Sequence, residues 1–291
     1  MPRSASVSPL LISAVAARLA EPAASWLRDA ASELAGLGLS DPAARQTVQI
    51  RYSQAVRHAP RQPLALTEFE SAVLARARPG LDCSGWTLDQ AARAALLAAL
   101  PGKAAAALVT TIDQIAAAAD LHELIALYQA LPLLPQPKRW AARAAEGVRS
   151  NMRVVFAAVA TANPYPAEHL DDEAWNQLVL KCLFVGEPLF RVVGLDERRN
   201  PELTEMLVDY ADERWAAKRP IPPGLWRCVA LCADSRAVAA LKRALTSDDT
   251  HERDAARLAL SGCAHPSAKA LSRANAPVVR DWAMIETPSK T

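Results

Sequence analysis

Apolar residues recur along this chain in short blocks of helical period, and each block is bounded by proline or a small polar residue. Near the start, Leu10, Leu11, Ala14, Val15 and Arg18 keep the spacing of an amphipathic helix. Asp41-Pro42 opens another, carried through Gln46, Ile50 and Gln54. Thr67 and Thr87 occupy N-cap positions, and Gln90 follows Thr87 as a capping box ahead of the apolar run to Leu100. Asp120, Pro137, Asp171, Asn200-Pro201 and Asp234 mark further starts, since a side-chain oxygen or a proline suits the unpaired first turn. The 21 prolines lie mainly between these blocks. Strand-like alternation is almost absent, and the nearest case, Arg191-Val192-Val193, is too short to suggest a sheet. The pattern predicts an all-α fold of short helices.

In the C-terminal third, residues 236–245 and 251–260 read as a helix pair joined by the Asp248-Asp249 turn, and Arg253 with the paired Ala255-Ala256 gives the pair a HEAT-like look. Small apolar residues let antiparallel helices approach closely. Stacked helical hairpins of α-solenoid character are expected at that end, while the N-terminal half leaves the continuation of the stack open. Three stretches follow: an N-terminal helical region 1–80, a central helical region 81–222 and C-terminal HEAT-like pairs 223–291, together one continuous α-helical domain.

Composition narrows the function classes. The chain has 291 residues, 51% of them hydrophobic and 22% charged, which suits a folded protein and excludes a disordered one. A net charge of +2, without basic runs interleaved with aromatics, argues against a nucleic-acid partner. Five scattered cysteines (Cys83, Cys182, Cys228, Cys232 and Cys263) argue for free thiols in a reducing compartment, so the cytoplasm is expected. Arg3 followed by an apolar stretch could start a signal peptide, but Arg18 and Glu21 come at once, and an amphipathic helix is the better reading. No apolar run approaches the ~20 residues that cross a bilayer, so membrane insertion is not expected.

Against this Ala- and Leu-rich background, the segment 139–219 is crowded with polar and aromatic residues. Arg139, Arg143, Glu146 and Arg149 fall on one helical face. Such a face can be solvated, with ion pairs worth ~0.5 kcal/mol or less. It can equally turn inward and hold a phosphate or carboxylate, with Asn151, Arg153 and Lys181 completing an anion site. Asn163-Pro164-Tyr165-Pro166 is expected to be a rigid turn rather than helix, with Tyr165 packed on a neighbour. Asp171, Asp172 and Glu173 suit a helix start better than catalysis. Asn176 adjoins the core stripe of Trp175, Leu178, Val179 and Cys182, and a charged loop carrying Arg191 and Asp196 follows, with Asp196 able to pair with an arginine of the earlier stripe. The candidate ligand-binding residues are therefore Arg143, Glu146, Arg149, Asn151, Asn176, Lys181, Arg191 and Asp196, with no candidate catalytic residue.

No cofactor is expected, and no metal. Cys228, Cys232, Cys263 and His265 lack the two-residue knuckle spacing of a structural zinc site, and cysteines in Ala-rich helices behave as small apolar core residues. His58, His122, His169 and His251 form no ligand pair and are read as surface or capping residues.

The pieces ELIALYQALPLLPQP, ARAAEGVRSNM, NPYPAEHLDDEAWNQLVLKCLFVGEPL and VGLDERRNPELTEMLVDYADERWAAKRPIPPGLWR closely resemble EboA-type proteins, chiefly over residues 84–227. That resemblance implies membership of the bacterial Ebo gene cluster, whose products are implicated in moving a secondary metabolite across the inner membrane, as with the cyanobacterial sunscreen scytonemin. Cluster neighbours resemble a UbiA-type prenyltransferase, metal-dependent hydrolases and TIM-barrel enzymes. It carries over no catalytic residue. The expected role is a non-catalytic binding or adaptor component whose partners are other cluster proteins or the metabolite, with membrane contact only through a partner. The alternative is an enzyme of the same pathway that holds an anionic, phosphorylated or diphosphate substrate with Arg143, Arg149 and Lys181, using Asp196 or Glu146 as acid or base.

Overall fold

The computed structural model describes residues 7–279 and 281–287, so Arg3 lies outside the described residues. Among those residues the chain is all-α, and its β-type pairing is an isolated bridge between Pro63 and Thr87. It divides into two compact units, Met1–Leu170 and Asp171–Thr291. No helix among the described residues is long and apolar enough to cross a membrane.

The first unit contains α1 (Val7–Ala16), α2 (Ala23–Ala35), α3 (Pro42–His58), α4 (Glu68–Ala77), α5 (Leu88–Ala98), α6 (Ala105–Ala118), α7 (Leu121–Ala130), α8 (Ala141–Arg149), α9 (Arg153–Ala160) and α10 (Tyr165–His169). Helices α1, α2, α3 and α7 pack around α5, whose residues from Leu88 to Leu97 are buried without a break. Ala91, Ala92, Ala94 and Ala95 make that possible, because side chains ending at Cβ let neighbours close in from every side. Gly147 serves the same purpose in α8: a Cβ there would lie 2.6 Å from both Tyr128 Cε1 of α7 and Val159 Cγ2 of α9.

The second unit contains α11 (Asp172–Val185), α12 (Pro201–Ala216), α13 (Leu225–Leu231), α14 (Ser235–Ala244), α15 (Thr250–Gly262), α16 (Pro266–Ala274) and α17 (Trp282–Glu286). Helix α13 packs on α12 and α15, and α15 pairs in turn with α14 and α16. Trp226, Leu241 and Leu260 fill the space between them.

Helix starts follow local capping chemistry. Asp41, Asp120, Asp171, Asn200 and Asp234 each accept a backbone N–H of the first turn, and Thr67 with Glu70 forms a reciprocal box. Each such cap contributes about 1 kcal/mol. Two places differ from the sequence reading. Pro137–Trp140 is a 3-10 turn ahead of α8, so Arg139 sits on a different helix type from Arg143, Glu146 and Arg149. Residues 163–166 are not a bare turn, because Tyr165 begins the one-turn helix α10. Prolines are tolerated there since first-turn amides need no intrahelical partner, and Asn163 Oδ1 accepts the Tyr165 N–H at 3.0 Å.

Candidate ligand groove

Along α1, Ser8, Ile12 and Ala16 recur every fourth residue, and along α2, Arg28, Ala31 and Ala35 recur at three and four. Such spacing places each set on one helix face. The two faces, with Ala98 and Ala99 at the end of α5, line a groove of about 820 Å³. The groove exists because alanine and serine stand where larger side chains would interlock. Its walls are mostly apolar, Ser8 Oγ is turned away to the Ala95 carbonyl (2.9 Å), and Arg28 at the rim donates to Glu21 at 2.5 Å.

Ser8 and Ala98 also border a second space of about 500 Å³ with a different chemistry. Arg78 meets Glu168 there through two parallel bonds of 2.7 and 2.5 Å, and His169 lies 3.6 Å from the same carboxylate. Burial pushes the His169 pKa down, and Arg78 and Lys138 add to that against the pull of Glu168. The imidazole therefore favours its neutral form and packs on the Tyr165 ring at 4.6 Å between centroids.

A buried polar network that the sequence reading did not find lies under α3, α5 and α7. Arg93 Nη1 donates to Asp89 at 2.5 Å, with both side chains wholly inaccessible. The guanidinium Nε donates to the Tyr52 carbonyl at 3.2 Å, and Nη2 lies 3.6 Å from Glu123. Thr87 donates its hydroxyl to Asp89 at 2.5 Å, and Tyr52 its phenol to the Glu123 carbonyl at 2.5 Å. Burial pushes the Tyr52 phenol far above its ordinary value. Tyr52 and Glu123 also border a cleft of about 290 Å³ edged by the carboxamides of Gln46, Gln49 and Gln114.

The residues singled out from sequence fall in both units. In the first, Arg143 donates to Asp113 and, at 2.7 Å, to Glu146. Burial works against its charge, but the Asp113 bond and Glu146 outweigh it and raise the Arg143 pKa. Arg149 and Asn151 are exposed. In the second unit, the buried Asn176 exchanges bonds of 3.2 and 2.9 Å with Asn200. Asp196 accepts two parallel bonds of 2.9 Å from Arg227 of α13, so its partner comes from downstream rather than from the α8 stripe. Lys181 is half-buried, which pulls its pKa down, and Arg191 is exposed. Within the first unit, Arg143 and Glu146 of the set thus touch each other directly. Cys228 and Cys263 are buried, Cys232 is half-buried, and among the described residues no group of three or more His, Cys, Asp and Glu side chains could hold a metal. His265 caps α16, and His58 stacks on Trp26 at 4.0 Å.

No curated protein and no solved structure matches the chain. A family match does cover most of it, spanning both the α1–α2 groove and the α11–α13 polar segment. Residues 7–230 match the family described as Metabolite traffic protein EboA, and the chain belongs to that family.

Proposed function

We propose that this protein is a non-catalytic binding component of metabolite traffic, which holds a largely apolar small molecule in the groove between α1 and α2. The observation that carries the reading is the groove itself, since about 820 Å³ lies within the ~300–1,000 Å³ of small-molecule sites. An alanine wall supplies contact area without hydrogen-bonding demands, and Arg28 at its rim supplies one charged contact. Family membership supports the traffic role; in this reading the cargo is a secondary metabolite that is made for, or moved by, transport across the inner membrane. Other cluster proteins are its partners, with the HEAT-like α14–α16 pairs as a platform and exposed Arg149, Asn151 and Arg191 as contacts. Free buried thiols suit a cytoplasmic setting.

The test uses an apolar fluorescent anion, anilinonaphthalene sulfonate, titrated against the full chain. One saturable site is expected. Ala35→Trp, at an exposed position on the groove wall, should weaken binding by at least about tenfold, or ~1.4 kcal/mol, without changing the helical circular dichroism. Unchanged affinity in that variant overturns the groove as the site. The enzyme alternative needs Arg143, Arg149 and Lys181 to hold an anionic substrate, but the Arg143 guanidinium already serves Asp113 and Glu146. Turnover of a phosphorylated or diphosphate substrate that is lost in Arg149→Ala and Lys181→Ala would replace the binding reading with that one.

A further inference from the structure

The groove between α1 and α2 has a polar end and an apolar end. The short connection 17–22 folds the two helices back along each other as a hairpin. Arg28, in the first half of α2, therefore stands level with the later part of α1, where Ser13 lies. Ala35 closes α2 at the opposite end, level with Ser8 and beside Ala98 and Ala99. Ser32 follows Arg28 by four residues and so shares its helix face.

The charges and donors at the polar end are one-sided. Among the described residues lining the groove, Arg28 alone carries an ionisable side chain. The nearby acids of α2 are turned to other partners: Asp29 accepts the Ser25 hydroxyl at 3.3 Å, and Glu33 accepts Arg51 at 2.7 Å. Beyond the end of α1, Arg18 is held by both oxygens of Glu70 at 2.9 and 2.7 Å and does not reach the groove walls. The hydroxyls of Ser13 and Ser32 are exposed, and among the described residues neither meets a hydrogen-bond partner. The carboxylate that Arg28 does meet, Glu21, comes from the connection rather than from a wall, and it also accepts the Ser25 N–H at 3.0 Å. Both side chains of that pair are more than half exposed. An ion pair in such contact with water is weak, and a second anion can exchange for Glu21 at little cost.

We propose that the molecule held in this groove is an apolar acid, whose anionic group takes the place of Glu21 on Arg28 while its body lies against Ala31, Ala35, Ala98 and Ala99. This rests on the groove being the ligand site. The guanidinium fork offers two parallel N–H donors to a carboxylate or sulfonate, and the Ser13 and Ser32 hydroxyls supply further donors to the same group. The alanines accept an apolar body of any outline, so the charge selects the ligand class and the wall leaves its shape open.

Two dyes separate the acid from the body: anilinonaphthalene sulfonate and phenylnaphthylamine, the same ring system without the sulfonate. Both are titrated against the full chain. Arg28→Met, which keeps the aliphatic stem, should weaken the sulfonate by about fivefold and leave the neutral dye unchanged. Glu21→Gln, which frees Arg28 from its internal competitor, should tighten the sulfonate by about two- to threefold, again without effect on the neutral dye. Added salt should shrink both differences. Ala35→Trp should weaken the two dyes alike. If Ala35→Trp changes neither, the groove itself falls as the site. If it weakens both, while Arg28→Met acts equally on the two dyes or Glu21→Gln leaves the sulfonate unchanged, the groove stands and the acid is overturned.

Discussion

Replacing Arg93 with alanine is expected to lower the stability of the first unit by about 3–5 kcal/mol, because it strips the cation from a carboxylate that water cannot reach. Both side chains of the Asp89–Arg93 pair are wholly buried. After the substitution Asp89 would retain the Thr87 hydroxyl at 2.5 Å and Arg61 at 3.9 Å, and the Tyr52 carbonyl would lose its side-chain donor. The size of that loss differs from the net worth of the pair. Desolvating both ions already offsets much of their attraction, so the double replacement Asp89→Leu with Arg93→Met is expected within about 1–2 kcal/mol of the native chain. Urea unfolding of the native chain, Asp89→Leu, Arg93→Met and the double variant gives the cycle directly, with Arg93→Ala measured beside them. A single Arg93→Ala variant as stable as the native chain would mean that Asp89 is solvated, contrary to its placement.

That pair also shows what the sequence could reveal. Asp89 and Arg93 stand four apart, the ordinary spacing of a surface ion pair, and only the packing of α1, α3 and α7 around α5 makes them interior. Helix starts were legible because their causes are local: Asp120 bonds a backbone amide three residues away, as do Asp171 and Asn200. The partners of the polar segment were not. Asp113 reaches Arg143 from 30 residues upstream, and Arg227 reaches Asp196 from 31 residues downstream, distances over which no periodic pattern carries information. The groove was hidden for a different reason. Sequence reasoning follows conspicuous side chains, whereas this space is made by alanines that stop short of one another, and a gap has no residue to announce it. Family-specific pieces were legible as long stretches, and they lie inside the 7–230 match.

The Asn163 position allows a sharper test of how the first unit is held together, since one oxygen for nitrogen exchange should destabilise it about as much as deleting Arg93. Asn163 is 2% exposed. Its Nδ2 donates to the carbonyls of Tyr128 at 3.1 Å and Ala158 at 3.0 Å, and its Oδ1 accepts from Tyr165. One carboxamide thus ties the end of α7, the end of α9 and the start of α10, and holds Tyr165 where its phenol donates to the Pro137 carbonyl at 2.5 Å. Asn163→Asp keeps the shape and the acceptor but turns an oxygen onto two carbonyl oxygens, leaving a buried negative charge with no cation, at a cost of about 3–5 kcal/mol near neutral pH. Asn163→Ala removes the same side-chain partners without adding the charge; the Tyr128 carbonyl keeps the Leu131 N–H, and each buried group left without a partner costs about 1–3 kcal/mol. The two variants separate by pH. The introduced carboxyl is harder to ionise folded than unfolded, so its penalty is largest above the folded pKa and shrinks as pH falls towards the unfolded value, where one proton can donate to a carbonyl again. The alanine variant should show no such slope relative to the native chain. Urea midpoints at about pH 5 and about pH 8 decide it: equal deficits for Asn163→Asp at both would show that the two carbonyls do not face the amide, and the three helix ends would need another tie.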